Sequence, residues 1–198
     1  MADERRATLR QRLLAILVTG IGAATASAVS FAMAVYEAAN PEPVPVAAIG
    51  ETIDTGRWTV VFHEARVGAV PSSAVAPPER KTFLAVEFEL ENRSAASSPV
   101  SSNLIAIDPS APGLQEPAFR LVRDEWLASA LNPGMRERMI AVWEWPEERS
   151  PPQEVRLVVG GQTYKRRDNL YGASNWFDGD PVAVVELPVT RDDAEAAR

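Results

Sequence analysis

The stretch TFLAVEFELEN, residues 82–92, alternates apolar and acidic side chains more regularly than any other part of the chain. Four apolar residues occupy alternate positions, and three glutamates occupy alternate positions of the opposite face. They are Leu84, Val86, Phe88 and Leu90, with Glu87, Glu89 and Glu91. A period of two is the spacing of a β-strand that has one face in a core and the other in solvent. The segment therefore predicts one strand of a half-solvated antiparallel sheet.

Short segments rich in β-branched and aromatic residues recur along the chain, separated by turn residues. The further predicted strands are 57–67, 103–108, 118–122, 136–146, 155–160 and 181–189. Sixteen prolines among 198 residues favour short strands and turns over long helices. The pattern predicts an all-β antiparallel sandwich of about seven strands over residues 49–189. We expect Trp58, Trp143 and Trp145 to lie in its core or at its rim.

Two segments within or after this region have other patterns. DEWLASAL, residues 124–131, has the spacing of a short helical turn, and we expect Trp126, Leu127 and Leu131 to pack inward from it. Residues 190–198 are charged and contain no large apolar side chain, which predicts a disordered tail.

Residues 13–36 contain no charged side chain and follow an arginine-rich start, residues 1–12. A helix of that length extends about 36 Å, enough to cross a hydrocarbon core of roughly 30 Å. Because the basic residues lie on its N-terminal side, we expect the N-terminus in the cytoplasm and the domain in the periplasm. Residues 37–48 are proline-rich and predict an extended spacer. The alternative is a cleaved signal peptide, with Ala32–Ala34 as the small-x-small site.

Small residues recur at every fourth position of the predicted membrane helix. They are Gly20, Ala24, Ala28 and Ala32. This spacing places them on one helix face, where they would let a second helix approach closely. The stripe predicts a membrane-protein partner, although an alanine-rich segment also produces such stripes by chance.

Composition excludes several classes of function. The formal net charge of −7 disfavours nucleic-acid binding, because the chain repels a phosphate backbone. The absence of cysteine excludes disulfides, thiolate zinc sites and thiol nucleophiles. His63 is the only histidine, so a catalytic triad or metal site has at most one imidazole, and we expect His63 at the surface. We expect no enzyme activity and no cofactor.

Two groups of residues are candidate sites. Glu87, Glu89 and Glu91 lie about 7 Å apart along a strand and could serve acid/base chemistry or cation binding, or form only a solvated face. RRDNLYGASNWFDGDP, residues 166–181, predicts a loop with aromatic and acidic side chains interleaved. Its candidate contact residues are Tyr171, Trp176, Phe177, Asp178 and Asp180. Such a loop could contact a protein or sugar, hold calcium, or fold back over the sandwich.

The order of the parts resembles a bacterial extracytoplasmic immunoglobulin-like family, of the telokin-like or immunoprotective-extracellular type. The matching parts are GETIDTGRWTVVF from Gly50, a strand ending in Asn92 and Ser94, an LNPG turn at residues 131–134, and a strand closing on WP. The resemblance covers residues 49–160 and implies an immunoglobulin-like, membrane-tethered domain. Family members are often lipoproteins, whereas this chain has no cysteine, and residues 162–181 match no element of the family.

These observations lead to one functional hypothesis and one alternative. The first is a single-pass inner-membrane protein whose periplasmic immunoglobulin-like domain binds a protein partner, as an accessory subunit of a transporter or envelope assembly. The alternative is a periplasmic ligand-binding domain that uses residues 168–180 for a glycan or a cation.

Overall fold

The computed structural model describes residues 27–36, 39–40, 43–68, 81–167 and 172–191. The chain divides into two compact units, Met1–Pro43 and Val44–Arg198. In the first unit, residues 27–36 are helical, and their side chains, including those of Ala28 and Ala32, are exposed. The remainder of the predicted 13–36 helix, with Gly20 and Ala24, lies outside the described residues. Within the described ranges, no helix has the length and apolarity needed to cross a bilayer.

The second unit is built from β-strands. Its described residues form nine: β1 (Val46–Ala47), β2 (Thr52–Asp54), β3 (Trp58–Gly68), β4 (Thr82–Asn92), β5 (Ile105–Ile107), β6 (Ala118–Leu121), β7 (Arg136–Trp145), β8 (Glu154–Lys165) and β9 (Asn175–Arg191). A 3₁₀ turn, Ser102–Leu104, precedes β5. The long strands β3, β4, β7, β8 and β9 supply most of the buried apolar residues.

The strands form a β-sandwich whose two sheets share β9. In the first sheet β8 pairs with β5 and β9, and β1 adds to β9. In the second sheet the order is β3, β4, β7, β6, with β2 added to β3. The C-terminal end of β9 pairs with β3, where Ala65 faces Val189. The hydrogen-bonded path therefore continues from one sheet into the other.

Side chains from both sheets meet in one apolar core. Leu84, Val86, Phe88 and Leu90 of β4 are all completely buried, so the predicted alternation of this strand is confirmed. Leu157 and Leu187 of the first sheet belong to the same core cluster. The rings of Phe62, Phe88 and Phe119 make a row with centroid separations of 5.9 and 6.0 Å. Trp58, Trp143 and Trp145 are also buried, as predicted.

The architecture differs from the sequence-based prediction in its strands. The described residues contain nine strands instead of about seven, and the sandwich is not purely antiparallel, since β9 pairs in parallel with β1 and β3. Val46–Ala47, assigned to the spacer, form β1 because Val184 donates a backbone hydrogen bond to Pro45 and draws this segment onto β9. Thr190 and Arg191, assigned to the tail, lie in β9; residues 192–198 lie outside the described ranges.

The predicted helical turn at residues 124–131 is wrong. The chain instead reverses at Glu125, whose φ is +60°, and runs back along β6. Trp126 and Leu127 are 76% and 64% exposed, because the inward positions of β6 are already filled by Phe119 and Leu121. Of the three side chains expected to pack inward, only that of Leu131 is buried.

Candidate functional site

A groove of about 520 Å³ opens where three separate segments of the sandwich meet. We call it the end groove. Its described lining residues are Arg57, Arg93, Ser94, Ala95, Ala96, Ser97, Ser98, Tyr164, Ser174, Asn175 and Trp176. They come from the turn before β3, the segment after β4, and the β8–β9 hairpin. Two of these residues are arginines and none carries a carboxylate, although the whole chain has a net charge of −7.

The turn between β2 and β3 places Arg57 at the end groove. Asp54 Oδ1 accepts a hydrogen bond from the Gly56 N–H at 2.7 Å, which is the Asx arrangement of a tight turn. The Gln162 N–H donates to Thr55 O at 2.6 Å, so the turn is held against β8. Gly56 has φ +89°, and a Cβ there would lie only 2.2 Å from the backbone oxygen of Gln162. Glycine is therefore required for this turn to contact β8.

Strand β8 is irregular where it meets that turn. Its register with β9 shifts on both sides of Gly160, between Val159 and Gln162. A Cβ on Gly160 would approach the backbone oxygen of Asn103 to 2.7 Å. The bulge therefore brings the backbone of β8 close to the β2–β3 turn and to Asn103. Such close approach of backbones is a common role of glycine within a strand.

A hydrogen-bonded chain of four side chains joins these segments. Trp58 Nε1 donates to Gln162 Oε1 at 3.1 Å, and Gln162 Nε2 donates to Asp178 Oδ1 at 2.9 Å. Asn103 Nδ2 donates to the other oxygen of Asp178 at 3.1 Å. The hydrogen bonds from Gln162 and Asn103 lower the pKa of Asp178, and the nearby charge of Arg57 acts in the same direction. Asp178 is thus a fixed carboxylate whose two oxygens both accept hydrogen bonds from amides.

Asn92 organises the segment that forms the opposite wall of the groove. This residue is completely buried, and its Nδ2 donates to the backbone oxygens of Ala96 and Leu131 at 2.9 and 2.7 Å. Its Oδ1 accepts from both the N–H and the hydroxyl of Ser94, at 2.9 and 2.7 Å. Because both donor and both acceptor positions of the amide are used, the fold of residues 93–98 depends on this one side chain.

Arg57 has a different environment from an ordinary surface arginine. Its guanidinium carbon lies 5.5 Å from the ring centroid of Trp58 and 5.7 Å from that of Trp176. One Nη donates to the hydroxyl of Ser98, while the buried Nε has no hydrogen-bond partner among the described residues. Burial lowers the pKa of Arg57, although the charge of Asp178 opposes this effect. Arginine nevertheless stays charged at neutral pH, so the groove is lined by a cation, whose Nε itself is closed to solvent.

Two further side chains complete the rim. The ring of Tyr164 packs at 5.3 Å from that of Trp176 and is about half exposed. Arg93 is exposed, and its Nη1 lies 3.4 Å from Glu91 Oε1. Phe177 does not belong to the groove, because adjacent strand residues point to opposite sides, and its ring lies under Lys165 Nζ at 4.8 Å.

Residues 175–180 are strand, which corrects the loop predicted from the sequence. Trp176, Phe177, Asp178 and Asp180 all lie in β9, paired with β8 as far as Lys165, and Tyr171 lies outside the described residues. Trp176 lines the end groove, and Asp180 is exposed. Asp178 belongs to the hydrogen-bonded chain with Trp58, Gln162 and Asn103. Across the described ranges, no three His, Cys, Asp or Glu residues are grouped so that they could hold a metal ion.

The predicted row of glutamates forms a separate surface, the charged face, on the outer side of β4 and β7. Glu91 pairs with Arg136 at 2.8 Å, and Glu87 pairs with Arg138. The hydrogen bond from Arg136 lowers the pKa of Glu91. His63 Nε2 lies 3.5 Å from Glu89, on the half-buried outer side of β3. The carboxylates are therefore engaged by cationic neighbours, as in a solvated sheet face.

The sequence-based interpretation missed Arg57, Arg93 and the serines of residues 94–98. Arg57 stands between a turn glycine and a core tryptophan in the stretch TGRW, which was a usable signal for a positioned cation. The groove itself is formed by three segments, the first and last of which are more than a hundred residues apart, so no local pattern marks it.

Comparisons with known proteins add little to this description. No protein-family model matches the chain, and no curated protein matches it. A solved structure that is similar to the chain is an uncharacterized β-sandwich protein from Clostridium difficile 630. The two are 12% identical, the match covers 75% of this chain and 98% of the other, and the TM-score is 0.43. The assignment of a β-sandwich therefore depends on the strand pairing and the core described above.

Proposed function

We propose that this chain is a membrane-tethered binding module. In this proposal residues 13–36 anchor it in the inner membrane, with the N-terminus in the cytoplasm. The immunoglobulin-like sandwich lies in the periplasm and binds a protein partner at the end groove. The module would be an accessory subunit of an inner-membrane transporter or envelope assembly.

One observation carries the choice of a binding function and of its surface: the guanidinium of Arg57 lies beside two indole rings, in a groove whose described lining contains no carboxylate. A desolvated arginine costs stability unless something compensates for it, and arginine and tryptophan are the residue types that most often dominate protein interfaces. The aromatic rim of Trp176 and Tyr164 is half exposed beside it. This combination supports recognition of a partner.

The tether is supported by sequence and, over its last ten residues, by helical structure. The uncharged run is long enough to span, and basic residues precede it. Residues 27–36 are helical with exposed side chains, which suits a segment that contacts lipid or another helix. The small-residue stripe at Gly20, Ala24, Ala28 and Ala32 would then face a helix of the partner.

Co-purification of the full chain in mild detergent tests this proposal. We expect the wild-type chain to elute as a complex larger than its own mass. Trp176→Ala is expected to weaken that complex, and replacement of the four stripe residues by leucine is expected to weaken it as well. Phe177→Ala, on the other side of the same strand, is the matched control. A wild-type chain that elutes alone from its native membrane, or a mature chain that begins after Ala34, would contradict the proposal.

The second candidate is a periplasmic domain that binds a glycan. The paired rings of Tyr164 and Trp176 at the rim favour it, because sugars stack on exposed aromatic faces. A calcium-binding variant is less favoured, since both oxygens of Asp178 already accept hydrogen bonds. Titration with neutral glycan fragments separates this candidate from the first: saturable binding by a chain that purifies alone supports it.

A further inference from the structure

We propose that the outer face of the first sheet, the side turned away from the core, binds a second copy of this chain. The two copies face each other in a symmetric dimer whose two-fold axis runs parallel to the strands, between β8 and β9. This inference goes beyond the proposed function, because it concerns a different face of the sandwich from the end groove.

The first observation is an apolar row on the outer face. Each of the four strands contributes one residue, in the order Ala106, Val158, Val184 and Val46. The residues on either side of Val184 along the chain belong to the core cluster, so Val184 itself points outward. It is only 2% exposed between its cross-strand neighbours, whereas Val46 at the edge is 64% exposed. Three outward positions of β4 hold glutamates instead, which is the usual pattern of a solvated face.

The second observation is a row of charges directly beside the apolar row. Arg156 of β8 pairs with Glu186 of β9, and the N–H of Asp108 donates to Arg156 O at the end of β5. Arg156 Nε lies 3.5 Å from Asp108 Oδ2, and its Nη1 lies 3.9 Å from Glu186 Oε1. All three side chains are about half exposed. Both separations are longer than a hydrogen bond, so, within the described part of the chain, the guanidinium keeps N–H groups available for a closer acceptor.

The order of the charges selects a second copy as the occupant. Along the row the charge is negative at Asp108, positive at Arg156 and negative at Glu186. A two-fold axis parallel to the strands reverses the order of the strands in the facing copy. Arg156 of each copy then lies opposite Glu186 of the other, and Val158 lies opposite Val184. The outer face is therefore complementary to itself in both charge and apolar surface.

Other arrangements fit this face less well. A two-fold axis along the rows would set the charges of one copy against the uncharged pair Gly160 and Pro181 of the other, where they would lose water without gaining a partner. The anionic headgroups of a bilayer would meet two carboxylates and one arginine, which is a net repulsion. Facing sheets pack about 10 Å apart, and the long side chains of arginine and glutamate span that distance from both sides.

Sedimentation equilibrium of the purified full chain in density-matched detergent tests for the dimer. We expect the mass to rise from one chain to two with increasing concentration, because a face of four strands is small and the dimer dissociates on dilution. Replacement of the four stripe residues by leucine separates this contact from pairing of helices, and the dimer is expected to remain. A wild-type chain that is still monomeric at roughly 1 mM, or a dimer that the leucine variant loses, would contradict the inference.

Charge reversal assigns the contact to the outer face. Arg156→Glu and Glu186→Arg each place like charges opposite one another in the dimer, and we expect each to weaken self-association at least about tenfold. An equimolar mixture of the two variants places opposite charges at both positions, although each chain has lost its own Arg156–Glu186 pair. We therefore expect the mixture to associate within about threefold of the wild-type chain. Arg136→Glu on the charged face is the control and is expected to change nothing.

Val46→Asp provides a second test at a position where folding tolerates change, because Val46 is exposed. The dimer would bury its carboxylate without a partner, so we expect self-association to weaken at least about tenfold. Thermal melting shows which variants fold. Unchanged association in any folded variant of the outer face, or a mixture of the two charge-reversed chains that stays monomeric, overturns the inference. Trp176→Ala is expected to leave the dimer intact, so failure of the dimer and failure of the proposed function are separate results.

Discussion

The charged face and the end groove both contain arginines on the same sandwich, and the two surfaces surround them differently. On the charged face, Arg136 and Arg138 lie across the β4–β7 ladder from Glu91 and Glu89, and each of the two arginines meets a glutamate. In the end groove, Arg57 meets two indole rings and a serine hydroxyl. Both environments hold an arginine in place, but only the first pairs it directly with a carboxylate.

This difference indicates which of the two surfaces is better suited to bind a ligand. Exposed ion pairs across a ladder stabilise a sheet only slightly, and they leave no donor aimed at solvent. Arg57 has lost part of its hydration, its buried Nε has no partner among the described residues, and the charge of Asp178 compensates for this only in part. The arginines of the charged face are therefore paired directly with carboxylates, whereas the arginine of the end groove is not. Substitutions that disrupt the end groove should lower the free energy of unfolding more than substitutions that remove an ion pair on the charged face.

The largest effect is expected from Gly56→Ala, which disrupts the turn that positions Arg57 at the end groove. The added Cβ would meet the Gln162 oxygen at 2.2 Å, and φ of +89° is unfavourable for alanine. We expect a loss of about 3 to 4 kcal/mol in the free energy of unfolding, from steric overlap and backbone strain together. Urea denaturation measures this loss. Partner binding is expected to weaken too, because this turn positions Arg57 at the end groove.

Gly113→Ala is the matched control for that substitution. Gly113 has a similar φ of +84°, but a Cβ there meets nothing within 4 Å. We expect a cost of about 1 kcal/mol from the conformation alone. Equal losses for the two variants would show that the contact with Gln162 does not constrain the turn.

The second largest effect is expected from Asn92→Ala, which removes the support of residues 93–98. The substitution removes four hydrogen bonds and leaves the buried N–H of Ser94 without its acceptor, while the oxygens of Ala96 and Leu131 keep only their donors from Ser94 and Ser98. We expect a loss of about 3 kcal/mol, because each buried group left without a partner costs about 1 to 3 kcal/mol. Asn132→Ala, at an exposed partner of Ser97, serves as the control, and a similar loss there would contradict the central role of Asn92.

A structural feature could be predicted from the sequence where residues close together along the chain determine it. The strand 82–92 was predictable because alternation along the chain itself specifies which side chains enter the core. Trp176 and Phe177 were assigned to a loop because glycine, aspartate and asparagine surround them; in fact the partner strand β8, through its bulge near Gly160, extends the pairing to Asn175. That partner lies outside any local window, and so its effect could not be inferred from residues 166–181 alone.

The same reasoning applies to Trp126 and to the groove. The helical spacing of residues 124–131 predicted inward packing for Trp126, yet the space it would fill is occupied by Phe119 and Leu121 of the neighbouring strand. Arg57 was visible in the sequence, but its significance comes from Trp176 and Ser98, which reach it only through tertiary packing. Side-chain periodicity predicts which residues face the core of a sandwich. A site at the end of the sandwich is formed by turns that tertiary packing brings together, which periodicity does not predict.

A smaller effect is expected from acid pH, and it involves both surfaces. Hydrogen bonds from Gln162 and Asn103 lower the pKa of Asp178, and the hydrogen bond from Arg136 lowers that of Glu91. A carboxylate whose pKa is lower in the folded state adds stability that is fully present above its ordinary pKa of about 4. That contribution is lost as the pH falls through the lower folded-state value. We therefore expect the free energy of unfolding to decrease below about pH 4.

Asp178→Asn and Glu91→Gln separate the two contributions. Each variant is expected to show a flatter decrease in stability between neutral and acid pH than the wild-type chain, and to be less stable than it mainly at neutral pH. Denaturation with urea at several pH values measures this. A wild-type slope retained in both variants would assign the acid sensitivity to other carboxylates.

The smallest effect is expected from Arg136→Gln, which tests whether the charged face is structurally complete. Arg136 is exposed and Glu91 is half-buried, so water and salt screen much of their attraction, and its loss should shift the melting temperature only slightly. The shift should shrink further at high salt, while partner binding stays unchanged. Trp176→Ala should show the opposite combination, with partner binding lost and little dependence of the melting temperature on salt. If instead Arg136→Gln releases the partner, the charged face is itself a binding surface, and the contrast between the two groups of arginines no longer holds.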